Sequence, residues 1–358
     1  MVCLTELPSE ILVEIFSHLS DNRRLLRRAT QCRLLTGPIR QALYRHVILS
    51  FDATNRNNLD LFIRSLQETP SLGLMVRSLW LSWSDTPWSD TPRRDSNVVS
   101  SHVTLLLKLL MNLRSVKLQR SIDSELDTCS QILQKNPNTM SNLRELTLGD
   151  SRLTIDDFVK CMFLDNLETL RFFSLKDPAL VTAKSLPLEL NGNSSVSYLD
   201  LGTIRFPATA LASIMQWPRR LKRLRTTLTG FVELPNAHQH HSIRQPGVNF
   251  SPETLGSILA PTRDSLEALE ILPEKHCFWP PHDGTQLNLI AFSSLKQVII
   301  PSDCYWPSNL NGKWKSHSDR NGIHLLLPES LVQLEVCILP PLQSLVRAYT
   351  VILRFRLA

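Results

Sequence analysis

Three stretches of this sequence combine residue types that could do chemistry. "HQHH" supplies His238, His240 and His241, and His276, Cys277 and His282 follow further on. A zinc ion takes about four convergent ligands at ordered spacing. The first cluster has no carboxylate or paired cysteine beside it and lies between prolines, so loop histidines are expected and no metal. "RRLKRLR" (219–225) packs five basic residues into seven, which would suit nuclear import, a nucleic-acid patch, or an acidic or phosphorylated protein. "SDTPWSDTP" (84–92) is a near-tandem around Trp88, a loop by its Pro and Asp content. Its Thr86-Pro87 and Thr91-Pro92 pairs have the form of proline-directed phosphorylation sites. The motifs of known catalysis are missing: no G-x-S-x-G, no G-x-x-x-x-G-K-[ST], no H-E-x-x-H and no G-x-G-x-x-G. Glycine, at 11 residues, is scarce. No enzyme and no cofactor is expected.

The elements that must position these residues follow from length and patterning. At 358 residues the chain has room for a small module and a larger one, and 42% apolar residues supply a sizeable core. A net charge of +6 is a mild bias toward anionic partners. Seven dispersed cysteines, with no C-x-x-C, fit a reducing compartment. The opening "MVCLTELPSE" has neither a basic nor an apolar leader region. No run reaches the roughly 18 apolar residues a membrane span needs. A soluble chain of the cytoplasm or nucleus is therefore expected.

Residues 1–50 read as a short helical module. Leu7, Ile11, Leu12, Ile15, Phe16 and Leu19 recur at the three-to-four residue step of one helical stripe. Pro8 suits a first turn, and Glu10 and Glu14 suit the positive end of a helix. "RRLLRRATQCRLL" adds Leu25, Leu26, Ala29, Cys32 and Leu35 on one side. The chain is expected to restart after Gly37-Pro38 and to end in a strand-like Val47-Ile48-Leu49. Such a module cannot bury both faces on itself, so it docks on the rest of the chain, on another protein, or on both. Residues 51–75 read as a connecting helix or linker.

From residue 76 the pattern apolar-x-x-apolar-x-apolar recurs. It opens at 76, 113, 143, 167, 196, 221, 266, 295 and 331, in "VRSLWL", "LRSVKL", "LRELTL", "LETLRF", "VSYLDL", "LKRLRT", "LEALEI", "LKQVII" and "LVQLEV". Helix-like segments such as "SNVVSSHVTLLLKLL", "PATALASIMQW" and "SPETLGSILA" fall between them. The spacing varies from 24 to 45 residues, which suits a leucine-rich-repeat array with loop insertions better than a uniform solenoid. Apolar positions would enter a core shared by stacked coils, and the third, fifth and seventh positions would face a concave sheet. Those are Trp80, Lys117, Glu145, Arg171, Phe173, Tyr198, Asp200, Arg223, Arg225 and Glu270, with Trp80, Phe173 and Tyr198 a candidate hot spot. Ser84, Ser121 and Ser151 stand where the repeat usually carries a turn-capping Asn or Cys; Leu175, Ile204 and Glu274 replace them later. The apolar, basic tail "VRAYTVILRFRLA" lacks a polar capping coil, so either the chain is cut short or the tail packs back on the last coil.

"LPSEILVEIFSHLS", the Cys in "RRATQCRLL" and the closing "LYRHVIL" together resemble the F-box, over about residues 4–49. The middle departs from the family's pattern at Gln31, where Val is usual, and in its many arginines. The resemblance implies docking on the Skp-type adaptor of a cullin-based ubiquitin ligase. It implies Leu7, Pro8, Ile11, Leu12, Ile15 and Phe16, with Leu25, Leu26 and Cys32, as the adaptor-binding surface and the small core beneath it. The expected architecture is thus α/β: a helical F-box module (1–50), a connector (51–75) and an irregular leucine-rich-repeat solenoid (76–358), its curved parallel sheet inside and helices outside. The expected function is that of a non-catalytic substrate receptor, with a protein substrate on Trp80, Lys117, Arg171, Phe173, Tyr198, Asp200, Arg223, Arg225 and Glu270. Two alternatives stand beside it: a repeat scaffold whose N-terminal helices only cap the array, and, more weakly, a nuclear nucleic-acid binder using residues 219–225.

Overall fold

The computed structural model describes residues 4, 7–19, 23–51, 56–83, 96–119, 141–149, 155–175, 191–204, 208–228, 251–273, 285–304, 323–338 and 351–356. The chain is α/β and divides into two compact units, Met1–Asp150 and Ser151–Ala358. The sequence boundaries at 50 and 75 both fall inside the first unit. The helical N-terminus and the first coils belong together.

The first unit opens with α1 (Ser9–His18), α2 (Arg23–Ala29) and α3 (Arg33–Arg45). Leu12, Phe16, Leu26, Leu35, Ile39 and Ala42 make one small core, with Leu7, Ile15, Ala29 and Leu43 packed at its edge. The helix does not restart at Gly37-Pro38 as the sequence suggests. α3 runs straight through Pro38, giving up one backbone hydrogen bond, because Leu35, Ile39 and Ala42 on either side anchor one buried face. Pro8 likewise stands just before α1 as its N-cap residue and not within the first turn.

β1 (His46–Phe51) follows α3 without an intervening residue. The connector 51–75 becomes two helices, α4 (Arg56–Glu68) and α5 (Pro70–Met75), which bury Leu59, Ile63, Leu66 and Leu72. β2 (Ser78–Trp83), α6 (Ser96–Leu109), β3 (Ser115–Gln119) and β4 (Glu145–Leu148) complete the unit. β1 to β4 pair in chain order, all parallel, with His46 opposite Ser78, Ser78 opposite Ser115, and Ser115 opposite Glu145.

The second unit contains α7 (Ile155–Met162), β5 (Thr169–Phe172), β6 (Ser174–Leu175), β7 (Tyr198–Ile204), α8 (Ala208–Gln216) and β8 (Arg223–Leu228). α9 (Pro252–Leu259), β9 (Ala268–Pro273), β10 (Gln297–Pro301), β11 (Gln333–Ile338) and β12 (Val351–Arg356) follow. β5, β7, β8, β9, β10 and β11 pair in that order, all parallel and in one register: Thr169, Tyr198, Arg223, Ala268, Gln297, Gln333. β12 runs antiparallel to β11, so the basic tail folds back on the last parallel strand and covers its edge.

Every strand that belongs to a copy of the repeated pattern begins on its third position. The first position is buried in all nine copies, from Val76 to Leu331, and the fourth and sixth point into the core. Burying each such side chain stabilises by about 1.5–3 kcal/mol, which makes the spacing sufficient to set the register. In the weakest copy the sixth position is Thr226, buried; its hydroxyl donates to the Gly202 carbonyl at 3.4 Å and so needs no apolar substitute.

The residue before the first position carries a second regularity. Asn112 donates to the Leu74 carbonyl (3.0 Å) and Asn142 to that of Met111 (3.1 Å). Hydroxyls of Ser195, Ser265, Ser294 and Ser330 donate to the carbonyls of Leu167, Leu221, Asp264 and Leu295 at 2.8–2.9 Å. Each is a polar clamp from one coil onto the backbone of the coil before it, satisfying carbonyls that the turn leaves without a ladder partner.

Candidate functional site

The residues singled out by sequence lie on the N-terminal helices and, in each unit separately, on the third and fifth positions of the strands. On the helices the nine residues separate by depth. Leu12, Phe16 and Leu26 are core. Leu7 and Ile15 are half-buried at its edge. Pro8, Ile11, Leu25 and Cys32 are exposed, Ile11 at 49% and Leu25 at 48%. "RRLLRRATQCRLL" therefore does not present one apolar side: Leu25 and Leu26 are successive positions on a helix, about 100° apart, so burying one turns the other outward. α2 also stops at Ala29, leaving Cys32 as the N-cap residue of α3. Leu34, which the stripe did not select, is 72% exposed. The first turn of α3 thus adds one more apolar side chain to the uncovered set.

On the strand positions, two partly exposed pairs stack across neighbouring strands. In the first unit Lys117 Nζ lies 3.9 Å from the centre of the Trp80 ring. In the second, the Arg171 guanidinium lies 4.8 Å from the centre of the Tyr198 ring. Each is a cation–π contact worth roughly 0.5–1 kcal/mol at an exposed site. The Trp80 indole Nε1 is buried and lacks a hydrogen-bond partner among the described residues. Phe173 is 50% exposed. Of the expected hot spot, Trp80 belongs to the first unit and Phe173 and Tyr198 to the second.

Arg225, Asp200 and Glu270 form one network in the second unit. Arg225 Nε stands 3.9 Å from an Asp200 carboxylate oxygen and 3.6 Å from one of Glu270. The other Asp200 oxygen accepts the Gly202 N–H at 3.0 Å. Burial pushes the Asp200 carboxyl above its ordinary pKa, against the opposing pull of Gly202, Arg225 and Arg171. Arg223 is exposed beside it.

The basic run 219–225 is a strand with its approach. Leu221 and Leu224 are buried at 1% and 2%, and all five basic residues are exposed. Lys222 pairs with Glu267 at 3.7 Å, and Arg225 is held as above, so the run carries internal counter-charges.

Other readings meet the structure differently. At Leu175 and Ile204, where a capping residue is missing, the strands continue as β6 against the end of β7 past a register shift between Asp200 and Thr203. Ser251 caps α9 as its sequence suggests, accepting the Thr254 N–H at 3.1 Å. The tandem 84–92, Ser121, Ser151, the histidines at 238–241, Glu274, His276, Cys277 and His282 lie outside the described residues. Among the described residues there is no group of three or more metal-ligating side chains, and no helix is long and apolar enough to cross a membrane.

Val47-Ile48-Leu49 is a strand, β1, as the sequence suggests, but it also belongs to the array, which the sequence reading starts only at residue 76. Tyr44-Arg45-His46-Val47-Ile48-Leu49 has the repeat's own spacing, with Val47 buried and β1 opening on its third position. An aromatic in the first place, stacked on Phe62 at 6.3 Å, concealed the match. Neither protein-family models nor curated proteins yield a match to this chain.

Proposed function

We propose that this protein is the substrate-recognition subunit of a ubiquitin ligase of the Skp–cullin–F-box type. Its N-terminal helices are an F-box that docks on the adaptor, and its coils are a leucine-rich-repeat array that holds a protein substrate. It contributes proximity and no bond-breaking of its own, turning the encounter of substrate and ubiquitin into an effectively intramolecular event.

One observation carries the reading: the apolar side chains Ile11, Leu25 and Leu34 stand exposed over a core already filled by Leu12, Phe16 and Leu26. Helices that only capped the array would have no use for a second, uncovered apolar set. Contiguous exposed apolar side chains mark an interaction surface, and on this reading the three belong to one. The strand face, with Arg171 on Tyr198, Lys117 on Trp80 and exposed Phe173, is of the composition that carries binding hot spots.

The test is retention of purified Skp-type adaptor by the full chain, compared with Ile11→Ala combined with Leu25→Ala. The wild type retains the adaptor; the double variant loses it while its thermal midpoint stays within a few degrees of wild type. A wild-type chain that leaves the adaptor in the flow-through, where an ordinary F-box protein retains it, ends the proposal.

A further inference from the structure

The second position of each coil forms a column, because its carbonyl accepts backbone N–H groups of the next strand. In the first unit the Arg45 carbonyl accepts the Arg77 N–H (3.0 Å), that of Arg77 accepts Arg114 and Ser115 (2.8 and 3.0 Å), and that of Arg114 accepts Arg144 and Glu145 (2.8 and 2.9 Å). Four successive coils therefore start on arginine: Arg45, Arg77, Arg114 and Arg144. Parallel strands lie about 4.8 Å apart, so like charges are stacked at the closest pitch a sheet allows.

All four arginines line one open cleft of about 670 Å³ within the first unit, walled on another side by α1. Glu14 of α1 engages Arg45 at 3.1 Å. Arg77 is half-buried, with one guanidinium N–H donated to the Asn112 carbonyl at 3.3 Å, and partial desolvation, then Arg114 and Arg45, hold it below its ordinary pKa. Arg114 makes no side-chain hydrogen bond or ion pair among the described residues. Glu10 and Glu145 also line the cleft, yet neither forms an ion pair among the described residues. A fold that needed only neutrality would have alternated the charges, as three successive coils of the second unit do: there Glu267 stands between Lys222 and Lys296, at 3.7 and 3.8 Å.

We propose that this arginine column is a binding site for a compact, multiply charged phosphate compound, seated on Arg77 and Arg114 with Arg144 beside them. Arginine's planar fork matches phosphate oxygens two at a time, and a compound with several phosphates engages guanidinium groups on adjacent strands at once. The volume is of the size that small-molecule sites occupy. Glu10, Glu14 and Glu145 around the same cleft repel a long polyanion laid across it, which restricts the ligand to something small. The site adjoins both surfaces proposed above, since Glu10 and Glu14 belong to α1 and Ser78, Ser115 and Glu145 to the third positions of the strand face, but its arginines belong to neither.

Titration calorimetry of the full chain with inorganic tripolyphosphate tests it, with citrate as the carboxylate comparison. The wild type binds tripolyphosphate and its thermal midpoint rises with ligand concentration. Arg114→Gln, an exposed change, weakens binding at least tenfold, and Arg144→Gln weakens it less. Lys296→Gln, in the charge-alternating column, changes it less than twofold. Absence of binding by the wild type, an equal loss from Lys296→Gln and Arg114→Gln, or citrate binding as tight as tripolyphosphate, each overturns the proposal. Circular dichroism of each variant establishes that the fold is retained before binding is compared.

Discussion

The same backbone position does opposite things in the two units. In Met1–Asp150 it carries Arg45, Arg77, Arg114 and Arg144, one charge repeated on each successive strand. In Ser151–Ala358 it carries Glu168, Ser197, Lys222, Glu267, Lys296 and Val332, of which Lys222, Glu267 and Lys296 are bridged in sequence. Backbone geometry is shared, since in both units the second-position carbonyl takes N–H groups from the next coil. The difference lies only in side chains. Exposed ion pairs contribute about 0–1 kcal/mol each, so the alternating column gains little stability from its arrangement; what it avoids is repulsion. The repeated arginines accept that repulsion, relieved at Arg45 by Glu14, and a stack of like charge beside a cleft is better explained by a ligand than by folding.

The largest effects test whether the frame beneath the two columns is the same. Leu146→Ala in the first unit and Leu269→Ala in the second each remove a fully buried side chain, and each is expected to cost about 2–5 kcal/mol in denaturant unfolding. A loss confined to one of them would mean that only that unit is built on the repeat. Gly202→Ala comes next. Gly202 has φ +55°, and a methyl there would run into the carbonyls of Phe172 and Phe173, so at least about 1–3 kcal/mol is expected, read as a fall in thermal midpoint.

Charge changes sharpen the contrast directly. Arg114→Glu gives the first unit the alternation of the second; stability is expected to hold or rise by up to about 1 kcal/mol, while tripolyphosphate binding disappears. Glu267→Lys does the reverse, lowering stability by up to about 1 kcal/mol and steepening its dependence on salt, because screening then relieves three like charges.

The smallest effect is a matter of sign. Asp200 has its folded pKa raised, so in the window above the ordinary carboxylate value the folded state holds more proton than the unfolded, and its contribution to stability falls as pH rises. The stability of Asp200→Asn relative to wild type is therefore expected to increase from acid to neutral pH. A decrease would mean that the pairing with Arg225 outweighs burial.

What the sequence disclosed follows from which interactions are local. The apolar spacing of "LRSVKL" or "LEALEI" fixes which side chains turn inward, so strand starts at Ser115 and Ala268 and the all-parallel pairing were legible. The clamps were not. The repeat's usual capping position lies beyond each strand, at Ser84, Ser121 and Ser151, whereas the bonds to the preceding coil come from Asn112, Asn142, Ser195, Ser265, Ser294 and Ser330, ahead of it. Their acceptors lie 28–44 residues away, a separation that no local pattern encodes. Pro38 misled for the same reason: its local tendency to break a helix is outweighed by the burial of Ile39 and Ala42. On the N-terminal helices the stripe gave the residues but not the division between Leu26, inward, and Leu25, outward, since helix rotation is set by packing between helices.

α3 ends at Arg45 and β1 begins at His46, with no slack between them. A protein that grasps the N-terminal helices cannot let the first coil swivel, because the last helical turn and the first strand are one stretch of chain. On the proposed docking, torque applied at Ile11 and Leu25 would be delivered through α3 to the strands of the first unit as through a shaft keyed to its hub. Inserting a few flexible residues after Arg45 would leave both halves intact and remove that coupling.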